Sequence, residues 1–170
     1  MVLQFACSKS GLILYTLPPS PNAQALAKAL ELTKANVLVS QETGQDTNYI
    51  SVVEQAVPEL RVFDTSSGMP FVTPRFPHLR VCVHTGFDQE DKEGWFALRH
   101  LIVPTGEKVG EGLTDATPLA GQLQLDGQGM PTKVGPTLTN AQVVSQGVWP
   151  TFSKILKKEL HTVEGVGVIF

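Results

Sequence analysis

From residue 2 to residue 86, short apolar runs of strand length alternate with longer stretches whose apolar residues recur at helical spacing. Val2, Leu3, Phe5 and Ala6 follow a helical period that Ser10-Gly11 closes. Leu12 to Leu17 suits a short buried strand, stopped by Pro18-Pro19. Pro21-Asn22 opens a second helix, with Ala23, Leu26, Ala27 and Leu30 marking its faces and its alanines favouring it. Asn36 to Ser40 is apolar on both faces, the pattern of a central parallel strand. Thr47 to Ala56 predicts a third helix with Pro58 as its stop, Leu60 to Phe63 a strand, and Leu79 to His84 another. Such alternation predicts an α/β fold: a partial, mostly parallel sheet with flanking helices over residues 2 to 86, joined by right-handed connections.

The remainder of the chain is patterned differently. Trp95 to Val103 suits a helix or hairpin, and completes an α/β domain over residues 1 to 103. Residues 104 to 138 are rich in Gly, Pro, Thr and Gln and read as an extended loop-rich segment. Residues 139 to 170 read as a docking region of helices and tail. Thr139-Asn140 caps a short helix through Ser145, and Trp149-Pro150-Thr151 starts another. That second helix carries Phe152, Ile155 and Leu156 on one face and Lys154, Lys157 and Lys158 on the other. An aromatic beside a proline in a terminal helix suits a partner interface, so Trp149, Phe152, Ile155, Leu156, Lys157 and Lys158 are the candidate partner-binding residues.

Composition narrows the function classes. A net charge of −3 gives no general attraction to nucleic acid. Only 17% of the residues are charged, below the usual quarter, which suggests that a partner covers part of the surface. No apolar run approaches the roughly 18 residues of a membrane-spanning helix, although peripheral association with a membrane complex stays open. The N-terminus has neither the pattern of a signal peptide nor an Arg-rich, Ser-rich transit sequence. Cys7 and Cys82 lie in apolar surroundings far apart in sequence, which leaves a disulfide open but favours two buried thiols in a reducing compartment.

Motifs for chemistry are sparse. Cys82-x-His84 places two metal-capable side chains on one strand face, but neither His78, His100 nor His161 adds a second pair at ligand spacing, so no metal site is expected. The stretch "GEKVGEG" has no Gly-Lys-Ser/Thr and reads as a solvated turn. Asp88, Glu90, Asp91 and Glu93 read as a solvated acidic loop, and no G-x-S-x-G elbow occurs. No catalytic residue and no cofactor is implied.

The stretch "VLQFACSKSGLILYTLPPSPNAQALAKALELTKANVLVS" resembles the N-terminal part of the AMP-forming acyl-CoA synthetases. Gln4-Phe5-Ala6, Gly11, the Pro18-Pro19 turn, the helix through Leu26 and Leu30 and the strand Val37-Leu38-Val39 follow that family's order. "VVEQAVPEL" and "PHLRVCVHTG" are similar to later family motifs. Pro21 and Gln24-Ala25 depart from the pattern, standing where the family has Tyr and Glu-Leu. The resemblance spans residues 2 to 86 and stops short of the catalytic parts. "PTGEKVGEGLTDATP" is nearest to the family's phosphate loop, T-S-G-S/T-T-G-x-P-K, but lacks its hydroxyl run and sets two glutamates where phosphates would lie. The adenine motif, the ribose-binding aspartate and the catalytic lysine are also missing. The resemblance therefore implies a pseudoenzyme-like, non-catalytic accessory or scaffold subunit whose partners are other protein subunits. Together with chain length, the "VWPTF…KK…H…VEGVGV" tail resembles a small accessory subunit of mitochondrial respiratory complex I, NADH:ubiquinone oxidoreductase, which implies a mitochondrial location. The alternative reading is a small acyl-, CoA- or nucleotide-binding module without adenylation activity, which would leave the chain cytoplasmic.

Overall fold

The computed structural model describes residues 3, 6–7, 10–17, 22–43, 47–86, 92–102, 114 and 116–146. It is an α/β protein with parallel sheet elements and flanking helices. Two compact units are present. One draws its described residues from Met1–Tyr15, Lys108–Gln122 and Pro136–Phe170, the other from Thr16–Glu107 and Leu123–Gly135. They interleave along the chain, where the sequence suggested consecutive segments 1–103, 104–138 and 139–170.

The larger unit begins with helix α1, Ala23–Thr33. Its first turn is held by Asn22, whose Oδ1 accepts from the Gln24 and Ala25 amides at 2.8 and 3.4 Å. Its last turn is closed by Lys34 in the left-handed conformation, whose amide donates to the Leu30 carbonyl at 3.0 Å. Ala25, Ala29 and Leu30 form the buried stripe. Helix α2, Tyr49–Ala56, is capped the same way by Asn48, whose Oδ1 accepts from the Ser51 amide at 3.0 Å. It buries Ile50, Val52, Val53 and Ala56.

These helices flank a three-stranded parallel sheet of β2 (Val37–Ser40), β3 (Val81–His84) and β4 (Phe96–Ala97), in the order β2-β3-β4. The register pairs Leu38 with Cys82 and Ser40 with His84. The apolar pattern of β2 suggested the central position, but β3 holds it. Cys82, Val83 and His84 are buried while Val37 is half-exposed, because a strand is sealed on both faces only where neighbours flank it. Leu30, Val53, Val57, Leu60, Phe76 and Leu79 fill the core beneath the sheet. Each fully buried leucine among them stabilises the fold by about 1.5–3 kcal/mol.

Three expectations need correction. Residues 60 to 63 are not a strand: Pro58–Val62 is a 3-10 helix. Pro58 at its start supplies a helical φ and needs no N–H partner, and only Leu60 of the run turns inward. The Leu12–Leu17 run does not join β2 and β3. Its ordered strand β1, Leu14–Tyr15, pairs in parallel with β5 (Pro118–Leu125), Leu14 opposite Ala120. The segment read as loop over 104 to 138 contains β5 and β6 (Pro131–Thr139), so a second sheet of order β1-β5-β6 forms. The turn between β5 and β6 is tied by Asp126, whose Oδ1 accepts from the Gln128 and Met130 amides at 2.9 Å each. Small and polar residues along both strands hide their alternation from a reading based on apolar period. The helix predicted after Thr139 is present as a short helix, Asn140–Gln146.

Candidate functional site

In a parallel α/β sheet, ligands bind outside the carboxyl ends of the strands. Here that edge is formed by Ser40 at the end of β2, His84 at the end of β3, and the loops that follow. The ladder continues one step beyond the strands, where the Thr85 amide donates to the Ser40 carbonyl at 3.0 Å. It brings the segments carrying Glu42 and Gly86 together.

Among the described residues, a pair of charged side chains occupies this edge. The Glu42 carboxylate lies directly over Gly86, so a β-carbon there would collide with it. Lys92 Nζ reaches the same carboxylate at 2.7 Å, and both side chains are largely covered. Beneath this pair the His84 imidazole is 0% exposed and meets the Trp95 ring edge to face, centroids 6.4 Å apart. Trp95 is itself buried, and its Nε1 has no hydrogen-bond partner among the described residues. Thr73, also fully buried, has a hydroxyl that meets no strict hydrogen-bond geometry, yet it lies near enough to help lower the Glu59 carboxyl. The buried imidazole and the ion pair support this edge of the sheet.

Cys82 and His84 do share a strand, as their spacing predicted, but both are buried. Burial pushes the Cys82 thiol up to about 12. Among the described residues, no three His, Cys, Asp or Glu side chains approach one another closely enough to hold a metal ion. The cysteines are free thiols, Cys7 half-buried. His78 is exposed, and its carbonyl accepts from Asn36 Nδ2 at 3.0 Å. His100 is exposed beside Arg99, whose Nε lies 3.1 Å from the imidazole Nε2. Glu93 is exposed. The partner-binding candidates Trp149, Phe152, Ile155, Leu156, Lys157 and Lys158 lie outside the described residues, as do Lys154, His161, Asp88, Glu90, Asp91 and "GEKVGEG". No helix among the described residues is long and apolar enough to cross a membrane.

Two features escaped the sequence. The first is the Glu42–Lys92 pair, whose signal is only that each residue lies in a loop next to a strand end. The second is an exposed apolar loop. Phe63 and Phe71 meet edge to face with centroids 5.1 Å apart and close the loop between them. Asp64 braces it, accepting from the Ser66 amide at 2.8 Å and the Ser66 hydroxyl at 2.6 Å. On and beside this braced loop stand Val62, Met69 and Val72, exposed by 86%, 69% and 62%. No family model, curated protein or solved structure matches this chain.

Proposed function

We propose that this chain is a non-catalytic accessory subunit that works by docking on other proteins, in the manner of a synthetase fragment kept as a scaffold. The observation that carries the reading is the exposed apolar trio of Met69 on the loop closed by the Phe63–Phe71 pair and Val62 and Val72 just outside it. Three large apolar side chains turned outward on and beside a braced loop are costly in water and favourable in an interface. Bracing also lowers the ordering cost of association, because the loop is already in one shape. The Glu42–Lys92 pair at the carboxyl ends of β2 and β3 supports the same reading over a ligand module, since a ligand placed against Gly86 would have to displace it. The assembly implied by the sequence resemblance is mitochondrial respiratory complex I.

Replacing the trio by serine (Val62→Ser, Met69→Ser, Val72→Ser) removes exposed apolar surface and leaves the core untouched. The variant should fold with an unchanged circular dichroism spectrum and fail to copurify with the partners that the wild-type chain brings down. Copurification of the triple variant at the wild-type ratio refutes the proposal.

A further inference from the structure

We infer that the groove between α1 and the segment Arg75–Leu79 seats an acidic, amphipathic helix of a partner protein. The inference rests on the docking reading above and adds the chemistry of the partner. At one end of the groove, near the amino ends of β2 and β3, is a cavity of about 190 Å³ floored by Leu30, Ala35, Phe76 and Leu79. A dry cavity of about 150 Å³ accepts a benzene, so this one takes a single bulky apolar side chain. The groove continues as a more open trough of about 490 Å³ along Gln24, Ala27, Lys28 and Glu31, residues spaced three and four apart on one helix face. Met130 lines its far part, a residue type that adapts its shape to a partner surface, and Asn22 Nδ2 lies 3.7 Å from its sulfur.

The charge along the groove selects the occupant. Lys28, Lys34 and Arg75 line it against a single carboxylate, Glu31, although the whole chain carries −3. Glu31 pairs with Lys28 at 2.9 Å, so the two offset each other and the remaining positive charge of the groove lies on Lys34 and Arg75. Arg75 lies over the Phe76 ring, 5.8 Å from its centroid, and spends one contact of 3.4 Å on Glu59 out of the five N–H donors of a guanidinium. Lys34 follows the carbonyl end of α1, where a cation is favoured, and lines the groove. An apolar floor bordered by Lys34 and Arg75 complements a helix with one apolar stripe and flanking carboxylates.

The test uses the full chain and two synthetic 18-residue helical peptides, identical in their Leu/Phe stripe and flanked by Glu in one and Lys in the other. In NMR titrations the Glu peptide should shift the amides of Leu30, Ala35 and Leu79, and the Lys peptide should bind at least about tenfold more weakly. Lys34→Asn with Arg75→Gln should weaken the Glu peptide about tenfold, asparagine being tolerated in the left-handed conformation of residue 34. Ala35→Phe, which fills the cavity without altering charge, should weaken it as well. Equal binding of the two peptides, or shifts confined to other surfaces, overturns the inference. If the peptides fail while the triple-serine variant still loses its partners, the groove assignment falls and the docking reading stands.

Discussion

Gly94 offers a measurable handle on the turn that carries Trp95 into the site. Its φ is +78°, and a β-carbon added there would run into the backbone carbonyl of Leu60, which is fully buried. Two costs follow for Gly94→Ala. The left-handed conformation costs an L-residue about 1–2 kcal/mol. Moving a packed carbonyl aside adds about 1–3 kcal/mol, as overpacking does elsewhere. Their sum is about 3 kcal/mol. Gly129 separates the two effects: its φ is +80°, but a β-carbon there meets nothing within 4 Å. Gly129→Ala should therefore cost only the conformational part, about 1.5 kcal/mol. With a urea slope of about 2 kcal/mol/M, the unfolding midpoint should fall by about 1.5 M for Gly94→Ala and about 0.7 M for Gly129→Ala. Trp95 fluorescence in a Trp149→Phe background reads the transition. Equal falls for the two variants would show that the Leu60 contact carries no energy and would refute the packing described around the site.

The thiols should differ in reactivity: Cys82, buried and pushed up to about 12, should resist an aromatic disulfide reagent at pH 8 until urea unfolds the chain, and Cys7, raised less by burial, should react first. Leu79→Ala, at a fully buried core position, should cost about 3–5 kcal/mol by urea unfolding, and a loss under 1 kcal/mol would contradict the core assignment. Burial pushes the Glu59 carboxyl up, but its backbone hydrogen bond, Arg75 and Thr73 pull it further down, leaving it below the ordinary value of 4.5. Its contribution is thus fully present above pH 4.5 and lost as pH falls through the lowered folded value, so Arg75→Gln should flatten the acid side of the stability curve. An unchanged acid limb would remove Arg75 as a cause. Incubation with ATP, CoA and a panel of fatty acids should release no pyrophosphate above background, and release at an enzymatic rate would contradict the non-catalytic reading.

The parts legible in the sequence are those fixed by neighbours along the chain. Asn22 announces α1 because a cap acts within three residues, and the apolar spacing of Tyr49, Ile50 and Val53 announces α2. The β3 run is apolar enough to need burial on both faces wherever it lies. What escaped depends on distance. Leu14 pairs with Ala120, and nothing local to β1 names that partner. The β5-β6 hairpin did carry a local signal, Asp126-Gly127 after Leu123-x-Leu125, but the surrounding Gly, Gln and Thr outweighed it. Leu60 to Phe63 misled because four apolar-rich residues suit a strand and a 3-10 turn equally, and Pro58 decides between them. At the site, the Cys82-x-His84 pairing was visible, whereas Glu42 and Lys92 meet only through the fold. The apolar loop was invisible for the opposite reason, since exposure of Val62 and Met69 is a property of the surroundings and not of the residue.

A chain that docks as proposed belongs to a larger assembly in its own source. The direct measurement is native-gel migration of the untagged chain from its own source, followed by mass spectrometry of the comigrating proteins. The chain should migrate within a large assembly, in fixed ratio to the same neighbours from one preparation to the next. Migration as a free species near 18.4 kDa, with no neighbour in constant ratio, would contradict it.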